Sequence, residues 1–193
     1  MVEIKKAVQK PKVWETLEVK VPLSSGVSAA YDGKILTVKG PKGEVSKRLK
    51  YPYVSLKVEG NEVIIFSEHC GKREKKIIFT FQAHTTNLVK GVSEGFEYKL
   101  AVVYAKFPIT AELKGQEFIV KNLLGEKVPR TVMLPADVKV SVNGKDILVS
   151  GIDKEKVGQA AASLEQLTRI THMDRRVIQD GIYITEKPHR VYS

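Results

Sequence analysis

Apolar residues alternate with polar ones at Val13, Leu17, Val19 and Val21, at Leu56, Val58, Val63 and Ile65, and at Val138, Val140, Val142, Ile147 and Val149. A period of two puts every second side chain on one face, so these stretches predict antiparallel strands buried on one side. Glu59-Gly60-Asn61 and Asn143-Gly144 interrupt the later sets with residues that accept positive φ, which predicts a hairpin at each. Beyond each hairpin the period becomes helical. Ile77, Ile78, Phe81, Thr85 and Leu88 form one stripe, and Val157, Ala160, Ala161, Leu164 and Leu167 form another. The alanines predict a close approach between the second helix and its sheet, whereas Phe81 fills a deeper gap. Asp153 is placed to cap the second helix, and Phe96 to Phe107 reads as the strand that opens the second half.

The two halves repeat one pattern. Shifted by 82 residues, Asp32-Gly-Lys-Ile-Leu-Thr-Val-Lys39 aligns with Lys114-Gly-Gln-Glu-Phe-Ile-Val-Lys121, and Gly43-Glu44 with Gly125-Glu126. At a shift of 84 the hairpin starting at Val54 aligns with the one starting at Val138. Such self-similarity predicts a duplicated unit. The expected fold class is α+β, with two tandem homologous domains, each an antiparallel β-sheet with one α-helix packed on a face. The boundary falls near Ser93, giving domains over 1–93 and 94–193.

Charge gives this fold a partner class. The 32 basic and 22 acidic residues leave a net charge of +10, which favours polyanions. The excess is uneven, since residues 1–91 hold 17 bases against 9 acids and residues 92–193 hold 15 against 13. If RNA binds the second half, local geometry must matter more there than net charge. Cys70 is the only cysteine, which excludes an intramolecular disulfide, and His69 beside it has no further ligand at metal spacing. No apolar run reaches the length of a membrane span, and Met1 to Lys12 lacks the apolar core of a signal peptide, so a cytosolic protein is expected. Gly40-Pro41-Lys42-Gly43 lacks the spacing of a phosphate-cradling Walker loop and reads as a turn between strands. His69, His84, His172 and His189 are scattered, and His84 falls on the first helix in a surface or packing role. No enzyme active site, metal or cofactor is expected.

The carboxyl-terminal stretch gathers Arg169, His172, Arg175, Arg176, Lys187, His189 and Arg190, with Tyr183 and Tyr192 available to pack or stack. Guanidinium groups chelate phosphate oxygens and stack on bases, although a solvated tail would carry similar residues. Gln166–Lys187 closely resembles the signature of the large-subunit ribosomal protein six family in its archaeal and eukaryotic branch. Thr86–Val92 with Glu94-Gly95-Phe96, and Lys121–Glu126, resemble that family's domain junction and second-domain turn. Met173 and Ile178 depart from the pattern, standing where a basic residue and a phenylalanine are usual.

The resemblance implies a non-catalytic constituent of the large ribosomal subunit. It would bind ribosomal RNA near the sarcin-ricin loop, beside neighbouring ribosomal proteins and the region where translation GTPases dock. It further implies RNA contacts through Arg169, His172, Arg175, Arg176, Lys187 and Arg190, helped by Lys121, Lys127 and Arg130. The competing expectation is a basic adaptor that binds protein partners through an exposed sheet edge.

Overall fold

The computed structural model describes residues 15–174, 176–188 and 190–191. Val13, Arg175, His189 and Tyr192, named above, lie outside the described residues. In chain order the strands of the first repeat are β1 (Glu15–Pro22), β2 (Ser28–Tyr31), β3 (Ile35–Gly40), β4 (Gly43–Arg48), β5 (Ser55–Glu59) and β6 (Glu62–Cys70), followed by α1 (Lys72–Ser93). The second repeat holds β7 (Phe96–Val103), β8 (Thr110–Lys114), β9 (Glu117–Lys121), a 3-10 turn at Leu123–Gly125, β10 (Arg130–Met133), β11 (Val138–Asn143), β12 (Asp146–Gly151), α2 (Lys154–Leu167), β13 (Gly181–Lys187) and β14 (Arg190–Val191). Both expected hairpins form, β5 with β6 and β11 with β12, and Gly60 and Gly144 take φ of 58° and 62° at their tips. The duplicated elements β3 and β9 start at the aligned positions Ile35 and Glu117.

Each repeat carries two antiparallel sheets rather than one. The first has β1-β6-β5 and β2-β3-β4, and the second has β11-β12-β7-β13-β14 and β10-β9-β8. By contacts the chain divides into two compact units, one holding the described residues up to Leu23 with Ala29–Thr37 and Ser46–Thr85, the other Ser24–Ser28, Val38–Val45 and the described residues from Thr86 onward. In the first unit Val63 and Ile65 of β6 are fully buried, as is Ile78 of α1, and Lys47 Nζ lies 3.1 Å from His84 Nδ1.

In the second unit β7 is the central strand. Its Leu100 faces Ile147 of β12 on one side and Ile184 of β13 on the other, so one row of aliphatic side chains crosses three strands. Above this face α2 lays Val157, Ala160, Ala161 and Leu164, all within 1% of complete burial. The close approach read from the alanines is present. A Cβ at Gly151 would sit 2.7 Å from Val157 Cγ2, and one at Gly158 would sit 3.1 Å from Tyr98 Oη. Asp153 caps the helix, its carboxylate accepting the Glu155 N–H at 2.9 Å.

Three features depart from the sequence reading. The helix α1 outruns its apolar stripe at both ends, because its first turn is polar and its last turn contains Gly91, where a Cβ would lie 2.1 Å from Ile152 O. Strand β7 stops at Val103 rather than Phe107, and the Ala105 N–H beyond it is taken by the Asp180 carboxylate at 2.9 Å. Part of the basic carboxyl-terminal stretch is a strand of the sheet, since β13 pairs with β7 along Gly181–Ile184 and buries Ile182 completely.

Leu164→Ala should lower the unfolding free energy by about 2–5 kcal/mol, because a rigid sheet and a close helix leave little room to collapse around the void. Met133→Ala, at a position 69% exposed, should change it by less than about 0.5 kcal/mol. Urea titrations followed by circular dichroism check both values.

Candidate nucleic-acid interface

The segment 169–180 joins α2 to β13, and buried polar groups tie it at both ends. Thr168, the α2 C-cap, is 3% exposed, and its hydroxyl accepts the Ile182 N–H at 2.8 Å while donating to Glu165 O at 3.2 Å. Asp180, 4% exposed, closes the other end through Ala105. A third tie comes from Arg130 at the start of β10. Its Nη1 donates to Leu167 O at 3.0 Å and Arg169 O at 3.1 Å, capturing carbonyls that the end of a helix leaves unpaired. Its Nε and Nη2 hold the Glu126 carboxylate at 2.9 and 2.6 Å. The hydrogen bond from Arg130 holds the Glu126 carboxyl below the usual glutamate range. That contribution is present above the unfolded-state value and is lost as pH falls through the lower folded-state value.

Between these ties the loop is structured by Asp174. Its backbone oxygen accepts the N–H groups of Val177 and Ile178 at 3.1 and 3.0 Å. Its carboxylate accepts the Arg176 N–H at 2.9 Å and grips the Arg176 guanidinium, with Nη2 at 2.8 Å. The Arg176 side chain hydrogen bonds, followed by its backbone N–H, hold the Asp174 carboxyl below its ordinary range. The Arg176 side chain is nevertheless 90% exposed, and Arg169, His172 and Met173 are exposed as well. A tethered loop that offers guanidinium and imidazole groups to solvent can chelate phosphate oxygens without first becoming ordered.

The remaining expected contact residues fall into different settings. Lys121 on β9 already holds both oxygens of Glu112, at 2.8 and 2.9 Å. Lys127 is exposed between the 3-10 turn and β10, three residues from Arg130 and so near the loop that Arg130 anchors. That turn is left-handed at Asn122 (φ 60°), Leu124 (φ 51°) and Gly125 (φ 80°), a conformation suited to Asn and Gly and unusual for leucine. Lys187 is exposed at the end of β13, with Arg190 opposite it on β14. Those two positions lie a strand's length, about 20 Å, from the start of β13.

Sequence reasoning missed Thr168, Asp180 and Glu126, and it gave no sign that the Arg130 guanidinium is hydrogen-bonded to Glu126 and to the carbonyls of Leu167 and Arg169. Among the described residues no group of His, Cys, Asp and Glu is arranged to hold a metal, and no helix is long and apolar enough to cross a membrane.

Thr168→Val keeps the shape but leaves the Ile182 N–H buried without an acceptor, at a cost of about 1–3 kcal/mol. Amide exchange should then accelerate at Ile182 and along 169–180. Arg130→Ala should accelerate exchange along 169–180 while leaving Ile182 protected.

A family model described as "Ribosomal protein L6" matches residues 23–95 and 107–181, one stretch in each repeat. The chain is 44% identical over 167 residues to the large ribosomal subunit protein uL6 of Methanosarcina mazei, covering 86% of this chain and 95% of that protein. Against the protein of the same name from Haloarcula marismortui it is 43% identical over 172 residues, covering 89% and 97%. The Halobacterium salinarum protein is 44% identical over 170 residues, covering 88% and 96%. With both repeats matched and almost the whole of each relative spanned, the chain belongs to the ribosomal protein L6 family.

Proposed function

We propose that this chain binds and braces large-subunit ribosomal RNA near the sarcin-ricin loop and the region where translation GTPases dock. As a member of the ribosomal protein L6 family it is a structural, non-enzymatic constituent of the large ribosomal subunit in the cytoplasm. Its repeats, divided near Ser93, act as two domains.

The observation that carries the RNA reading is the loop 169–180, tied at its ends by Thr168, Asp180 and Arg130 while the side chains of Arg169, His172 and Arg176 are exposed. Arg169, His172, Arg175 and Arg176 contact phosphate and sugar oxygens from this loop, and Lys127 supports them from the neighbouring turn. Lys187 and Arg190 supply a second contact. Lys121 joins only by exchanging Glu112 for a phosphate. Arg130 acts by positioning, since its donors are already engaged. A-form RNA offers its backbone and shape more readily than its base edges, so fixed cations suit it. Neighbouring ribosomal proteins complete the surroundings.

The test is sedimentation of the tagged full chain in cell extract at low and high salt, comparing wild type with Arg169→Ala/Arg175→Ala/Arg176→Ala. The wild type should travel with large subunits, and the triple variant should be shed at lower salt because phosphate contacts depend steeply on ionic strength. Equal retention at every salt concentration would remove the loop from the RNA interface, and wild-type protein left at the top of the gradient would defeat the reading.

A further inference from the structure

Just before β5 the chain of the first unit reverses tightly. Tyr51 and Val54 form an isolated bridge, and Tyr53 between them takes φ of 66° with its side chain turned out to 72% exposure. The left-handed region is sterically costly for a bulky aromatic residue, so this placement calls for a reason. The reversal also ends the pairing of β5 with β6 at Ser55 and Phe66, and no described strand accompanies Ser67–Cys70 along that edge. A hollow of about 350 Å³ opens there, lined by Tyr53, Ser55, Phe66, Ser67, Glu68 and His69.

The lining is chemically specific. Two aromatic rings border it, and Lys57 Nζ stands 5.0 Å from the centre of the Phe66 ring. Ser67 follows Val63 and Ile65 on the core side of β6 and is 1% exposed, whereas Phe66 and Glu68 face the other way. Three residues beyond His69, α1 begins with exposed Lys72, Arg73, Lys75 and Lys76. The single acid of that turn, Glu74, is engaged by the Gly71 N–H at 3.0 Å. Cations at a helix N-terminus oppose the helix dipole, whereas an anion seated among them is favoured by both.

We infer that this hollow is an RNA site separate from the loop 169–180, which takes one unstacked base while the adjoining phosphates run onto the first turn of α1. The base lies against Tyr53, and Ser55 and Glu68 meet its edge. A carboxylate beside phosphates is repelled unless it receives donors. Guanine offers it two adjacent donors, an N–H and an amino group, whereas uracil offers a single N–H flanked by carbonyls. Guanine is therefore the preferred base and uracil the rejected one. The inference shares with the proposed function the premise that the chain works on RNA, but it uses none of the same residues.

Fluorescence anisotropy of the full chain with labelled eight-nucleotide RNAs tests it, one all-uridine and one with a central guanosine. The wild type should favour the guanosine RNA by about fivefold or more, and Tyr53→Ala should weaken that complex about tenfold and erase the preference. Tyr53→Phe should keep the preference and Glu68→Gln should lose it, with melting curves showing that both variants are folded. Arg169→Ala/Arg176→Ala should leave the preference intact. Absence of a preference, or its survival in Tyr53→Ala, overturns the pocket while leaving the sedimentation result to stand or fall alone. An extended peptide that shifts only the Ser67–Cys70 resonances, with no response to either RNA, would reassign the edge to strand addition and also overturn it.

Discussion

The distance between α2 and its sheet governs much of the second unit, because glycine and alanine occupy part of the line where the two surfaces meet. Gly151 and Gly158 cannot accept a Cβ without displacing Val157 or Tyr98, and Ala160 and Ala161 occupy the remaining contact line. Close packing of this kind is intolerant of added volume and fixes the helix axis against the strands. Once the axis is fixed, so is its last turn. Thr168 then reaches Ile182, and Arg130 reaches the carbonyls of Leu167 and Arg169. The orientation of the loop 169–180 is thus inherited from apolar packing at the opposite end of the helix.

Counting basic residues would misjudge this surface. Lys121 is committed to Glu112, Lys99 to Glu186 at 2.7 Å, and Arg130 to Glu126 and two backbone carbonyls. Exposed ion pairs of this type add little to stability, but they determine which side chains already have a partner. The distinction between a positioning cation and a contacting one is therefore geometric. Arg130 and Arg169 have the same chemistry, and Arg130 differs in having Glu126 and two backbone carbonyls within reach of its guanidinium.

Periodicity carried the regular elements well. Both hairpins, both helical stripes and the Asp153 cap depend on interactions within a few residues of each other, which a linear pattern records. The repeat was legible for the same reason, since one small unit was written twice. Strand β13 escaped because its alternation at Ile182 and Ile184 is brief and lies among charged residues, so charge dominated the reading. Asp180 and Thr168 escaped for a different reason. Asp180 meets Ala105 across 75 positions and Thr168 meets Ile182 across 14, and no local pattern marks either as buried. Tyr53 was equally hidden, since an aromatic residue gives no sign in sequence that its backbone will be left-handed.

The pairing of Arg176 with Asp174 has a consequence for how the loop would respond to any polyanion. Such a ligand meets a guanidinium that has already found an anion, so its phosphate displaces the carboxylate as well as water. Asp174 stays beside the new contact and offsets part of the charge that Arg176 brings. The residue therefore contributes less than one unit of neutralisation, and the slope of affinity against salt undercounts the arginines that touch the ligand. What the pair provides is selectivity of geometry: a phosphate held in register by its neighbours takes the carboxylate's place, whereas an unpositioned anion gains little by the exchange.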